Sequence, residues 1–468
     1  MLLILLAVPC FAQKKKEIPT AKKADYQIAL TPDKWEFKEG KVKFEDYKGQ
    51  KAMKISQGSG QVVLKNLIFK DGTIEYDIEP VLPEFALSFY FHRKDEKEQE
   101  IVYLRAGKMG NKLANEGIQY TPYFDGVNMW DMYPEYQAPA MAKAGEWNHL
   151  KLVLSGARMQ VFLNNAPRPV LDIPKLEGNE AQGSIAFEGS SYIANVQIKP
   201  NETEGLGPLA LPDLTDHDAT YLRKWAVTTP QSLPDGSELS FRNLPQASAF
   251  TDSISAERLG LVSLTRKYGA SKNRRVVWLK TRITATEAVT TNLHLGVSDE
   301  IWVFLNNQMI FVDKNLFVQG MRKYPEGRIS INNTSTPLRL KPGENELLIG
   351  VANDFYGWGI MARLESAEGI TETDEVAGII TMAKEIGNLD LNQYEGIYSN
   401  ADVNYKLTFT RKERQLFVQV TGQEPAQLQT LGKDKFAFTT ASATFDFLPD
   451  SKKLILRQGN ESKEFMRD

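Results

Sequence analysis

Cysteine is almost missing from this chain: the single one, Cys10, falls inside a leading apolar segment. One thiol cannot close an intrachain disulfide, and beyond that segment there is no cysteine nucleophile and no thiolate metal ligand. Histidine is scarce as well. His92, His149, His217 and His294 stand far apart in sequence, with no His-x-x-x-His or His-Glu-x-x-His spacing to suggest zinc. No Gly-x-Ser-x-Gly elbow and no Asp-rich loop of the EF-hand type occurs, so neither a hydrolase triad of that kind nor a calcium loop is indicated. An excess of one charge is also missing. The 56 basic and 59 acidic residues are interspersed and leave a net charge of -3, so no basic stripe offers a phosphate-binding face and nucleic acid is not an expected partner.

Long apolar runs are missing too. The one conspicuous run, MLLILLAVPCFA at residues 1–12, is too short to span a bilayer and suits the apolar region of a signal peptide, so no transmembrane segment is expected. Ala12 provides the small residue wanted at a cleavage point, and Lys14, Lys15 and Lys16 open a polar mature end. The expectation is an exported protein, periplasmic or secreted, cleaved after Ala12. No Lys or Arg follows Met1, so the basic stretch that usually precedes the apolar region is not present, and Pro9 before Cys10 is a poor match to a lipidation site.

What is present is material for several β cores. The 468 residues exceed one hydrophobic core, and 42% hydrophobic with 10% aromatic residues suits two to four domains. Short runs alternate apolar and polar residues from about Asp25 onward, among them Val62–Leu67, Gly72–Ile78, Ala86–Phe91, Ile101–Arg105 and His149–Leu154, with turn chemistry at Lys70-Asp71-Gly72 and Asn164-Asn165. Period-two patterning of this density means antiparallel sheets with one buried face. Residues 201–219 lose that periodicity and read as a linker. A second β region spans 220–366. Residues 367–388 read as another linker, with a weakly helical piece near Val376–Lys384, and 389–468 form a compact meander of short strands. The expected fold is all-β: two jelly-roll β-sandwiches, at 25–200 and 220–366, followed by a small antiparallel β-barrel-like domain.

Three stretches carry family resemblances. EIVYLRAGKMGN, IQYTPYFDGVNMWDMY and APAMAKAGEWNHLKLVLSGARMQVFLNN resemble the concanavalin A-like or laminin-G-like jelly roll of exported bacterial proteins. VSDEIWVFLNNQMIF and LKPGENELLIGVANDFYGWGIMARLE are similar to the galactose-binding-like jelly rolls appended to secreted glycosidases. The end of the chain, from LDLNQYEGIYSN to LILRQG, looks like the small β domain that follows serine β-lactamase-like hydrolases, although no Ser-x-x-Lys accompanies it here. The first two resemblances imply a glycan partner at the level of class only.

Two constellations could carry chemistry. Alternation puts the carboxylates of Glu75, Asp77 and Glu79 on one strand face, and they resemble the acid cluster of family 16 glycoside hydrolases: Glu75 as nucleophile, Glu79 as acid and base, Asp77 as helper. Four residues of strand separate Glu75 from Glu79 by about 13 Å, whereas a retaining pair needs its carboxyls about 5–5.5 Å apart. The other constellation lies between Arg105 and Tyr136, read as a long loop because of Pro122 and Pro134. Stacking on Tyr120, Tyr123 and Trp130 with hydrogen bonds from Arg105, Gln119 and Asn128 would suit a sugar, which offers apolar C–H faces and rings of hydroxyls. In the second domain Trp358 is expected in the core, with Asp299, Glu300, Asn306 and Asn307 as an alternative ligand-facing set. The sequence therefore favours a non-catalytic carbohydrate-binding protein without metal or cofactor, with a glycan hydrolase as alternative. A cell-surface scaffold, with a large exposed apolar patch and no concave aromatic site, is the third reading.

Overall fold

The computed structural model describes residues 26–318, 320–373 and 376–468. The expected signal segment, its cleavage after Ala12 and the lysines beyond it lie outside the described residues. Among the described residues no helix is long and apolar enough to cross a membrane. The fold is all-β.

The first sandwich has a front sheet of eight strands and a back sheet of seven. At the centre of the front sheet Ala86–Arg93, Gln99–Arg105 and Ile118–Phe124 run antiparallel, with Phe89 opposite Val102 and Val102 opposite Tyr120. At the centre of the back sheet Gly72–Pro80 lies between Asn148–Ser155 and Ser191–Pro200. Strict alternation sends Ile74, Tyr76 and Ile78 from the back and Leu87, Phe89 and Phe91 from the front into one core, joined by Trp35 and Phe187. Residues 201–219 carry no strand and are tied down along the first sandwich: the Leu211 amide donates to Pro174, and the Ala157 amide to Pro208.

The second sandwich pairs a sheet of eight strands with one of four. Its core runs between Arg275–Ala285, Gly343–Ala352 and Glu300–Leu305 on one side and Val289–Ser298 and Gly359–Leu364 on the other, and Trp358 lies in it at 1% exposure. The stretch 367–388 does more than connect. Strand Ile370–Glu372 pairs with the edge of Arg275–Ala285, and helix Ala377–Gly387 lays Ile379 and Ala383 over Trp278, Trp302 and Phe304 on the sheet's outer face. A nine-stranded antiparallel sheet ends the chain, and its terminal strands, Ala426–Gln427 and Gln429–Gly432, are successive in sequence, so the sheet nearly closes on itself around Phe409, Phe436, Phe445 and Phe447.

Candidate functional site

The same alternation that fills the first core arms the opposite face of the front sheet. Tyr90, Ile101 and Tyr103 point outward there and gather with Ala186 into a small apolar patch, against which Tyr123 and Trp130 pack. Strand Ile118–Phe124 turns at Asp125-Gly126 and returns as Val127–Asn128, which sets Asn128 opposite Tyr123 and brings Trp130 back over the sheet. The second sandwich leans onto this face, bringing Phe317, Arg328, Phe355 and Tyr356. Between the two lies a cleft of about 410 Å³, within the range of roughly 300–1,000 Å³ usual for small-molecule sites.

Aromatic rings line much of it. Trp130 meets Phe317 edge-on at 5.2 Å between centroids and Tyr356 at 5.9 Å, while Phe317 stacks on Phe355 at 5.3 Å. These rings hold one another in place and keep part of their surface open: Phe317 is 42% exposed and Tyr356 49%. Flat apolar surfaces fixed at several angles are what a sugar's C–H faces require.

The polar groups are held from beneath. Arg105 donates to the Glu116 carbonyl (2.6 Å), the Tyr103 hydroxyl (2.7 Å) and Gln119 Oε1 (2.7 Å). Gln119 Nε2 in turn donates to the Trp130 carbonyl at 2.7 Å. Gln119 is fully buried, so it fixes Arg105 and Trp130 and is not itself open to a ligand. Asn128 Oδ1 is buried and without a hydrogen-bond partner. Of the six residues proposed from sequence, Arg105, Tyr123, Asn128 and Trp130 line this one cleft. Tyr120 does not. It is fully buried in the first core, where its hydroxyl bonds Glu100 and accepts from the Glu177 amide, and stacking by it is thereby excluded. Its segment is a strand and not a loop, and strand parity puts Tyr120 on the face opposite Gln119 and Tyr123.

Two buried carboxylates position the wall from the second sandwich. Asp131 accepts from the Gly357 amide and the Ser298 hydroxyl, each at 3.2 Å, and Asp299 accepts from the amides of Asp354 (2.6 Å) and Phe355 (2.9 Å). Burial pushes Asp131 up to about 7, outweighing the hydrogen bonds that favour its anion, and pushes Asp299 well above the usual carboxylate range with help from the charge of Asp131. Asp299 and Glu300 therefore do not face a ligand. Glu300 is buried between Arg274 (2.8 Å) and Lys314 (2.8 Å), and Asn306 and Asn307 form a left-handed hairpin turn away from the cleft.

The alternative acids lie on the wrong sheet. Glu75, Asp77 and Glu79 project from the outer face of the back sheet, on the far side of the first core from the cleft. Each is already paired: Glu75 with Lys199 (2.8 Å), Asp77 with His149 (2.8 Å) and Asn195 (2.6 Å), Glu79 with Lys48 (2.7 Å) and Tyr47 (3.0 Å). These contacts make a row of salt links, and the arrangement supports neither nucleophile nor acid for Glu75 or Glu79. No group of three or more His, Cys, Asp or Glu among the described residues could hold a metal ion.

Sequence reasoning missed Phe317 and Arg328. Both sit in a stretch without strand periodicity, 315–329, and nothing local marks either as a neighbour of Trp130. A larger hollow, about 460 Å³, lies where helix Ala377–Gly387 meets the last domain, but its lining of Lys384, Arg411, Arg414 and other mostly polar residues contains no aromatic ring.

No family model matches the chain, and no curated protein does. Solved structures align with part of it. A carbohydrate binding module from Bacillus subtilis is 16% identical over 35% of this chain and 93% of that one, with a TM-score of 0.26. A protein of unknown function with a galectin-like fold, also from Bacillus subtilis, is 13% identical over 36% and 91%, with a TM-score of 0.24. A beta-glucanase from Bacillus licheniformis is 10% identical over 38% and 100%, with a TM-score of 0.26. At such identities and TM-scores these likenesses assign no activity.

Proposed function

We propose that this is an exported carbohydrate-binding protein whose glycan site is the cleft between the front sheet of the first sandwich and the second sandwich. The observation that carries the reading is the ring-walled hollow itself, with Tyr123, Trp130, Phe317 and Tyr356 around it and Arg105 and Asn128 at hydrogen-bonding positions in its lining. Half-exposed aromatics braced edge to face provide stacking platforms at little conformational cost, and the fixed polar groups supply orientation. The role is binding, with the C-terminal barrel an accessory.

A glycan array probed with the intact protein and with Trp130→Ala tests this. Loss of a central aromatic anchor is expected to cost about 2 kcal/mol, roughly a thirtyfold weaker Kd. Equal retention of both proteins on every sugar would remove the site.

A further inference from the structure

Charge in the cleft lining is unbalanced. Arg328 is only 4% exposed and Arg105 9%, yet neither has a carboxylate within salt-bridge distance among the described residues. The guanidinium of Arg328 lies over the Trp130 ring at 4.9 Å, and its buried Nε has no hydrogen-bond partner. The lining sets Arg105, Lys108 and Arg328 against two acids, neither in an ion pair with Arg105 or Arg328: Glu116 pairs with Lys108 at 2.7 Å, and Glu326 stands exposed at the rim, while Asp131 behind the wall is turned to Gly357 and Ser298. A further cation, Arg322, lies over Phe317 at 5.2 Å on the same rim.

Two guanidiniums buried side by side are costly unless an opposite charge completes them. Burial and the charge of Arg105 together push Arg328 below its ordinary value, against the opposing pull of Glu116 and Glu326. A guanidinium edge with free N–H groups fits the two oxygens of a carboxylate or sulfate.

We propose, resting on the glycan-binding reading above, that the cleft takes an acidic glycan, one whose sugar carries a carboxylate or sulfate, with the anion on the Arg328 edge beside Arg105 and the sugar ring against Trp130 and Tyr123. The ligand then supplies the charge that the fold withholds, and neutral sugars of the same shape leave both guanidiniums unanswered.

Titration calorimetry on the intact protein tests this with two matched pairs: trigalacturonate against its methyl ester, and a sulfated carrageenan tetrasaccharide against its desulfated form. The acidic member of at least one pair should bind about tenfold or more tightly than its neutral partner, with affinity falling as salt rises. Which pair shows the preference tells carboxylate from sulfate. Arg328→Gln should erase the preference between the acidic and neutral members of a pair, and Arg328→Lys should restore part of it; a thermal unfolding curve of each variant checks folding, and the salt dependence of the wild type stands even if the glutamine variant does not fold. Neutral members binding as tightly as acidic ones, or a preference untouched in Arg328→Gln, would overturn the acidic assignment and leave the glycan site intact. No binding of any of the four probes would overturn both.

Discussion

Both ring nitrogens of His92 face acceptors: Glu100 Oε1 lies 2.9 Å from Nδ1 and the Lys70 carbonyl 2.9 Å from Nε2, with the ring 2% exposed. Only a doubly protonated imidazole donates to both. Burial pulls its pKa down, but the hydrogen bond and charge of Glu100 outweigh that and leave it raised. The stability this provides is full below the unfolded value, about 6.5, and is lost as pH climbs through the higher folded value. Asp131 acts in the same direction, because the fold holds its proton up to about 7 whereas an unfolded Asp releases it near 3.9. Denaturant unfolding measured from about pH 6 to about pH 8 should therefore show stability falling with rising pH. His92→Phe should cost about 3–5 kcal/mol at the acid end, since it removes the imidazolium charge beside the buried Glu100 carboxylate, and cost less at the alkaline end, where the wild-type ring is neutral. Asp131→Asn should flatten the part of the slope near 7. A wild-type profile that rises over this interval would refute the assignment of both charges. Neither group was legible in sequence. Alternation in ALSFYFHR puts His92 on the outer face of the front sheet, but the ladder shifts register there and His92 takes a positive φ of 44°, which breaks the alternation and brings its ring to Glu100.

At the scale of elements, alternation was the readable signal, and where it was overruled the reading failed. IQYTPYF alternates as cleanly as its neighbours, with Ile118, Tyr120 and Phe124 inward and Gln119, Thr121 and Tyr123 outward. Pro122 argued for a loop, yet it falls between the two short pairings on the strand's outer edge, Gln119 with Gln137 and Tyr123 with Asn128, where an interruption of the ladder is tolerated. Read as a strand, the segment would have sent Tyr120 to the core at once. In the turn Asp354–Gly359 the need for glycine comes from across the interface: a Cβ on Gly357 would come within 2.1 Å of Met132 Cγ and 2.8 Å of Asp131 Oδ1. Gly357→Ala should therefore lower stability by about 1–3 kcal/mol, the usual cost of overpacking, and weaken glycan retention by displacing the Phe355-Tyr356 wall. A variant with an unshifted denaturant midpoint would mean that the two sandwiches are not packed tightly at this turn.

For the molecule as a whole, the all-β class follows from period-two patterning, while the association of the sandwiches does not. Leu261, Ile329 and Met361 belong by sequence to the second sandwich and by packing to the first core, at 1%, 0% and 5% exposure. The buried bonds of Asp131 to Gly357 and Ser298 cross the same boundary. The cleft is a product of that association, which is why half of its ring wall could not be read from the first sandwich alone. The last domain differs: its core is built entirely from residues between 391 and 465, and it meets the rest through helix Ala377–Gly387 and a polar hollow. A shared apolar core couples unfolding, whereas a polar contact between separate cores leaves units free to melt alone. Scanning calorimetry should accordingly resolve two transitions, the larger for both sandwiches together and the smaller for the barrel. Gly357→Ala should move only the larger, and an acidic glycan that binds the cleft should raise it and leave the smaller in place. Three separate transitions, with the two sandwiches melting apart, would show that the interface is too weak to hold the cleft together, and the composite site would lose its footing.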